Sequence, residues 1–352
     1  SVVVVGALLA ASTGIVGATV VAMGLISYPA MMRANYDPRL ASGIITASGT
    51  LAQLIPPSTV LILVGTLLQN ANIQANLALG KFGANPVTVT DLFAGAMLPG
   101  LVLVGFFIAW VVLISLTQPQ RCPPVPMSDE ERRTLLTRVL RVMFPPLLLI
   151  VAVLGSILGG LATATESAAV GAVGALILAA VRRQVSLPVM REVCQGTLRL
   201  STMIYVILFG ATMFSLVFRG LGGEKIAEDV LQAIPGGAGG AVLVTLLLMF
   251  VLGFFIDTFE IIFIVVPIFG PILLKMGVDP IWLGVMIGIV LQTSYLTPPF
   301  GFAIFYLQGV TKDLPIGTIY RGVVPFIALQ LASALALWMF PALATWLPKA
   351  VF

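Results

Sequence analysis

Three carboxylates stand inside or at the ends of long apolar runs: Glu166, Asp257 and Glu260. An ionised group at membrane depth is costly and marks an ion or substrate path unless something local explains it. Glu166 has a local explanation, because Thr163-x-x-Glu166 is the spacing of a capping box at a helix start. Asp257 and Glu260 are three apart and share a helix face. They could hold a cation between them, or cap the helix that follows. Two Pro-Pro pairs, Pro56-Pro57 and Pro298-Pro299, also interrupt apolar runs. Proline lacks an N–H and pushes the residue before it out of helical geometry. Carbonyls one turn back, near Ala52 and Ser294, are thereby freed. Lipid cannot satisfy them, so they must face protein, water, an ion or a substrate. The chain has no histidine, which excludes His triads, HExxH metal sites and His acid–base chemistry. Cys122 and Cys194 are too few and too far apart for a zinc site or a disulfide framework.

The elements that must position these groups are membrane helices. Of the 352 residues, 59% are apolar and 9% charged, against roughly 25% charged in a soluble domain. Runs near the ~20 residues that span a bilayer fall at 2–26, 43–67, 92–116, 142–158, 167–181, 200–217, 241–269, 282–307 and 323–346. The first is broken by Ser12-Thr13-Gly14, the second by Pro56-Pro57, the seventh by residues 257–260 and the eighth by Pro298-Pro299. Polar connectors cover 118–141, with a capping box expected at Ser128 and Glu131, and 182–199. Residues 222–234 read as a short interfacial amphipathic helix ended by Pro235-Gly236-Gly237.

The chain repeats itself. A shift of 242 positions places Pro29 on Pro271, Asp37-Pro38 on Asp279-Pro280, and Pro56-Pro57 on Pro298-Pro299. Each copy is a broken apolar hairpin, an Asp-Pro loop, and a span interrupted by Pro-Pro. Matching broken segments in two halves are a pointer to a transporter binding site. If each hairpin enters and leaves on one side, thirteen of the eighteen basic residues gather on the cytoplasmic face. They lie around Arg33 and Arg39, through 121–141 and 182–199, and at Lys312 and Arg321. The first hairpin then opens to the cytoplasm and the second to the outside, so the copies are inverted.

Three motifs carry a resemblance that covers essentially the whole chain. They are Ala47-Ser48-Gly49-Thr50 with Ile55-Pro56-Pro57-Ser58; the run 162–171 around Thr165-Glu166-Ser167; and residues 253–257 continuing through Pro267, Pro271, Asp279-Pro280 and Leu296-Thr297-Pro298-Pro299. Together they resemble the large membrane subunit of TRAP (tripartite ATP-independent periplasmic) transporters. The resemblance implies an all-α, inverted-repeat, elevator-type transporter with two re-entrant hairpins and two broken helices. It implies a multi-pass protein of the bacterial inner membrane, driven by sodium and not ATP. No Walker A motif is present, which fits. A small membrane subunit and a periplasmic substrate-binding protein are the implied partners, and a small organic acid the implied cargo. No enzymatic activity, organic cofactor or nucleic-acid partner is expected. The second copy has an arm region before its hairpin. The first would need roughly one hundred residues ahead of Ser1 to match it, so the sequence reads as a fragment that starts late.

Sodium needs oxygen ligands. In copy one the candidates are Ser12, Thr13 and Gly14 at the hairpin tip, facing Ser48, Gly49 and Thr50. In copy two they are Asp257 and Thr258, facing Thr293, Ser294 and Thr297. The competing reading is that small polar residues let helices pack closely or cap half-helices. Pro56, Ser58, Glu260, Pro298 and Pro299 are candidates for substrate contact. No Lys or Arg lies in either hairpin or break. An anionic cargo would therefore meet helix N-termini, hydroxyls and bound sodium, while Glu260 leaves room for a cationic group. Expected domains are a transport core at 1–70 and 239–310, with scaffold at 71–238 and a final scaffold helix at 311–352. Three other readings compete: an organic-anion transporter of the same type without a binding protein, an intramembrane enzyme built on Asp257 and Glu260, and a scaffold subunit. The enzyme lacks a nucleophile, and neither it nor the scaffold explains two broken copies.

Overall fold

The computed structural model describes residues 2–82, 87–124 and 129–352. Among them are fifteen α-helices: α1 Val2–Thr13, α2 Val16–Arg33, α3 Pro38–Thr50, α4 Thr59–Ala78, α5 Val89–Thr117, α6 Asp129–Leu158, α7 Ala164–Val181, α8 Leu187–Gly220, α9 Gly223–Ala233, α10 Gly237–Leu252, α11 Thr258–Lys275, α12 Pro280–Leu296, α13 Phe302–Val310, α14 Ile316–Met339 and α15 Ala342–Val351. Six of these (α2, α5, α7, α8, α11 and α14) are long and apolar enough to cross a membrane. The chain divides into two compact units, Ser1–Pro123 with Gly210–Phe352, and Pro124–Phe209.

The repeat is visible in the helix boundaries. α2 and α11 start and end 242 residues apart, and α3 and α12 start 242 apart. The matching ends are built by the same chemistry. Asp37 and Asp279 are the N-caps, accepting from the N–H of Arg39 at 2.8 Å and of Ile281 at 2.9 Å, with Pro38 and Pro280 in the first turn. α2 and α11 both close with a Schellman turn. Tyr36 N–H reaches Met31 O at 3.0 Å and Val278 N–H reaches Leu273 O at 3.2 Å. The pivots are Asn35 at φ 56° and Gly277 at φ 89°, in the left-handed region that Gly adopts freely and Asn tolerates. A side chain added at Gly277 would meet nothing within 4 Å, so only the backbone resists it. Gly277→Ala is expected to cost about 1–2 kcal/mol and Asn35→Gly to be neutral or slightly stabilising. Equal melting temperatures for the two variants would contradict the shared turn.

Two elements differ from the sequence expectation. The connector 182–199 is mostly helix, because α8 begins at Leu187. Pro188 sits in its first turn, where a missing N–H costs nothing. The run 323–346 is not one span: α14 ends at Met339 and Phe340 leaves helical geometry (φ −127°, ψ 75°), as the residue before Pro341 should. The amphipathic helix appears as α9, bent by 119° from α10 across the Pro-Gly-Gly break. The capping box expected at Ser128 and Glu131 lies outside the described residues. The one at Thr163 and Glu166 is formed, with Thr163 N–H to Glu166 Oε2 at 2.8 Å and Glu166 N–H to Thr163 Oγ1 at 3.3 Å.

α14 orders the larger unit. Along it, α3 runs in the same sense. An added Cβ on Gly322 would lie 2.2 Å from Arg39 O, and Gln330 Nε2 donates to Thr50 Oγ1 at 3.0 Å. α12 runs in the opposite sense, with Trp282 Nε1 donating to Leu337 O at 3.0 Å and Tyr320 Oη donating to Pro299 O at 2.8 Å. The corresponding helices of the two copies are thus antiparallel. Their second halves exchange partners, α4 packing on α11 and α13 on α2.

Candidate transport site

The first hairpin turns at Gly14, φ +63°, between α1 and α2. Thr13 Oγ1 folds back onto Leu9 O at 2.9 Å and meets Thr19 Oγ1, while the exposed Ser12 also donates to Leu9 O at 2.9 Å. Hydroxyls bonded to the preceding turn fray and close a helix end. Gly14 then sits under the Pro-Pro break. Thr59 N–H donates to Gly14 O at 3.4 Å, and a Cβ on Gly14 would come 3.1 Å from Pro57 O. The tip therefore meets Pro57 and Thr59. The expected partners lie against other residues: Gly6 packs on Ser48, Val20 on Gly49, and Gln330 holds Thr50.

The second hairpin turns into α11 through a capping box. Asp257 Oδ1 accepts from Thr258 N–H at 2.8 Å, and Glu260 Oε2 accepts from Asp257 N–H at 3.3 Å. Both readings of this carboxylate pair retain a place: the residues cap the helix, and Asp257 also faces the opposite break. Tyr295 Oη donates to Asp257 Oδ1. The Tyr306 ring covers Gly17 of the first hairpin. On the other side Gln53 Nε2 donates to Thr258 Oγ1 at 3.2 Å. Hydrogen bonds thus join the break after α3 to the second tip, and the second tip to the end of α12.

The remaining candidates are distributed along the breaks. Thr293 Oγ1 bonds Ile289 O, Ser294 Oγ bonds Leu291 O and Thr297 Oγ1 bonds Thr293 O, at 2.7, 2.8 and 2.7 Å. Ser294 also touches Gly253 beside the second tip. Thr297 is extended (φ −89°, ψ 129°), as the residue before Pro298 should be. Ser58 Oγ, fully buried, donates to Gln53 O at 2.7 Å and caps α4. Pro56 is buried, Pro299 exposed and Pro298 intermediate. A carbonyl, Gln53 O, is thus presented at the first break, and the short 3-10 turn Leu51–Gln53 that carries it packs near Gly288, the midpoint of α12.

Several buried oxygens and nitrogens here have no partner among the described protein groups: Ser48 Oγ, Gln53 Oε1, Gln330 Oε1 and both amide atoms of Gln292. Ser48, Gln292 and Gln330 are fully buried. Such groups cost about 1–3 kcal/mol each when left unsatisfied. Sequence reasoning missed Gln53, Gln292, Tyr295, Tyr306 and Gln330. A signal existed, since the 242-residue shift pairs Gln53 with Tyr295 and Thr50 with Gln292, placing large polar side chains beside both breaks.

Broken helices laid antiparallel, with hydroxyls, amides and a carboxylate converging inside an apolar protein, define a membrane transport protein. Its family is specific. The chain belongs to the DctM component family of tripartite ATP-independent periplasmic transporters, whose model matches residues 1–343. It is 30% identical over 346 residues to the C4-dicarboxylate TRAP transporter large permease protein DctM of Pseudomonas aeruginosa, covering 97% of this chain and 75% of that protein. It is 28% identical to the ectoine/5-hydroxyectoine large permease UehC of Ruegeria pomeroyi, with 97% and 75% covered. It is 30% identical to the isethionate permease DctMQ of Oleidesulfovibrio alaskensis, with 95% and 49% covered. The relatives are transporter permeases and not enzymes.

Proposed function

We propose that this large permease subunit carries out sodium-coupled uptake of a small organic acid across the bacterial inner membrane. It works with a small membrane subunit and a periplasmic binding protein. The observation that carries the reading is the set of unpartnered buried groups, Ser48 Oγ, Gln53 Oε1 and the Gln292 amide, on the segments that lead into the two helix breaks, with Gln53 bonded to Thr258 next to Asp257. A hard cation takes oxygen ligands of this kind at broken helices, and its charge would receive an anion where no Lys or Arg does. Residues 12–14, 48–50, 257, 258, 293, 294 and 297 remain the proposed sodium neighbourhood, and Pro56, Ser58, Glu260, Pro298 and Pro299 the substrate side. The antiparallel course of α3 and α12 supports inverted repeats with re-entrant hairpins. In the proposed elevator, the core at 1–70 and 239–310 moves against scaffold at 71–238 and 311–352. Relatives named for C4-dicarboxylate and isethionate support an organic-acid cargo. Proteoliposomes holding this protein and its small subunit, given the binding protein loaded with cargo, are expected to take up cargo only under an inward sodium gradient. Uptake that is unchanged when potassium replaces sodium would overturn the coupling.

A further inference from the structure

We propose that the cleft at the start of α3 binds the phosphate group of an anionic phospholipid. The cavity holds about 140 Å³ and is lined by Arg39 of α3, Arg121 just after α5, Arg321 of α14, Asp37, and Trp110 and Ile114 of α5. Its floor is fixed by backbone. Asp37 N–H donates to Arg121 O at 2.8 Å, which pins the end of α5 to the cap of α3. Asp37 is also the counter-charge for one arginine, with Arg121 Nε 3.6 Å from Asp37 Oδ2. Arg39 and Arg321 have no acidic partner among the described residues, so the lining keeps a surplus of two positive charges. One anionic group with several acceptor oxygens satisfies such a cluster, and arginine suits phosphate through its planar fork.

The place selects a lipid as the source. Arg121 lies four residues past the end of α5, and Arg321 lies in the second turn of α14, the depth at which headgroups meet a spanning helix. Trp110 gives an amphipathic wall of the kind found at that depth. Beside it, Leu113 and Leu116 are 49% and 77% exposed on the outer face of α5, a surface for acyl chains. Basic pockets between spanning helices hold anionic headgroups by this combination. α3, α5 and α14 all contribute side chains, so a bound headgroup would tie α3 to the two long helices.

Native mass spectrometry of the purified chain, titrated with phosphatidylglycerol or phosphatidylcholine, tests this. Phosphatidylglycerol is expected to bind and phosphatidylcholine to bind far less. Arg39→Gln/Arg321→Gln is expected to weaken the phosphatidylglycerol complex about thirtyfold, and Arg321→Gln alone about fivefold. The single variant carries the test if the double variant does not fold. The charge-matched Arg182→Gln/Arg183→Gln should bind as wild type. Wild-type affinity in the Arg39 and Arg321 variants, equal binding of phosphatidylcholine, or full displacement of the lipid by free glycerol 3-phosphate would each overturn the proposal.

Discussion

Asp257→Asn is expected to leave the protein folded and to abolish the sodium dependence of uptake. Asparagine keeps the side-chain oxygen that accepts from Thr258 N–H and from Tyr295 Oη. It removes only the charge, so its effect on melting should be small. Asp257→Ala removes the cap as well, at about 0.5–2 kcal/mol. It also leaves the hydroxyl of Tyr295, a residue only 5% exposed, without that acceptor, at about 1–3 kcal/mol. A loss of about 2–4 kcal/mol is expected for Ala and under 1 kcal/mol for Asn. Tyr295→Phe reverses the comparison, keeping the charge while losing the hydroxyl, and should retain sodium activation with reduced stability. Uptake measured against sodium concentration, with melting on the same preparations, separates the roles. Unchanged sodium activation in Asp257→Asn would reduce this carboxylate to a helix cap.

Gly322→Ala is expected to cost about 3 kcal/mol and to abolish uptake. A Cβ there would lie 2.2 Å from Arg39 O and 2.9 Å from Ser42 Oγ. Its counterpart Gly43 would place one 2.2 Å from Gly322 O. The two 2.2 Å approaches are to backbone oxygens, Arg39 O and Gly322 O, so no rotamer change relieves the overlap and α3 must move off α14. Close approach through small residues is how membrane helices gain packing where lipid offers no hydrophobic drive. The separation would also stretch the 3.0 Å bond from Gln330 to Thr50, at the break where the proposed ligands gather. Gly105→Ala is the control. It lies within α5 with nothing within 4 Å of the added carbon, so it should stabilise by about 0.5–1 kcal/mol. A Gly322→Ala protein that melts like wild type would contradict the close approach.

The sequence by itself determined where the hairpins and the Pro-Pro spans break and that the architecture is doubled. Proline, glycine and Asp-Pro chemistry act within a turn or two of the residue concerned. The breaks at residues 12–14, 56–57, 257 and 298–299 therefore fall where they were expected, and the 242-residue shift reproduces α2 in α11 end for end. The Thr163–Glu166 capping box was legible for the same reason, since both partners lie three residues apart. Only the tertiary structure decided what each tip touches. Gln53 and Thr258 meet across 205 positions, and Gln330 and Thr50 across 280. Those contacts depend on how far each helix is rotated about its axis and which small residues let backbones close. An almost uniformly apolar helix carries little periodic signal for its rotation, because lipid and protein interior reward the same side chains. That is why Gly14 reached Pro57 and Thr59 while the sequence had aimed it at Ser48–Thr50. It is also why the buried amide of Gln292, in the middle of an apolar run, became conspicuous only once its neighbours were packed around it.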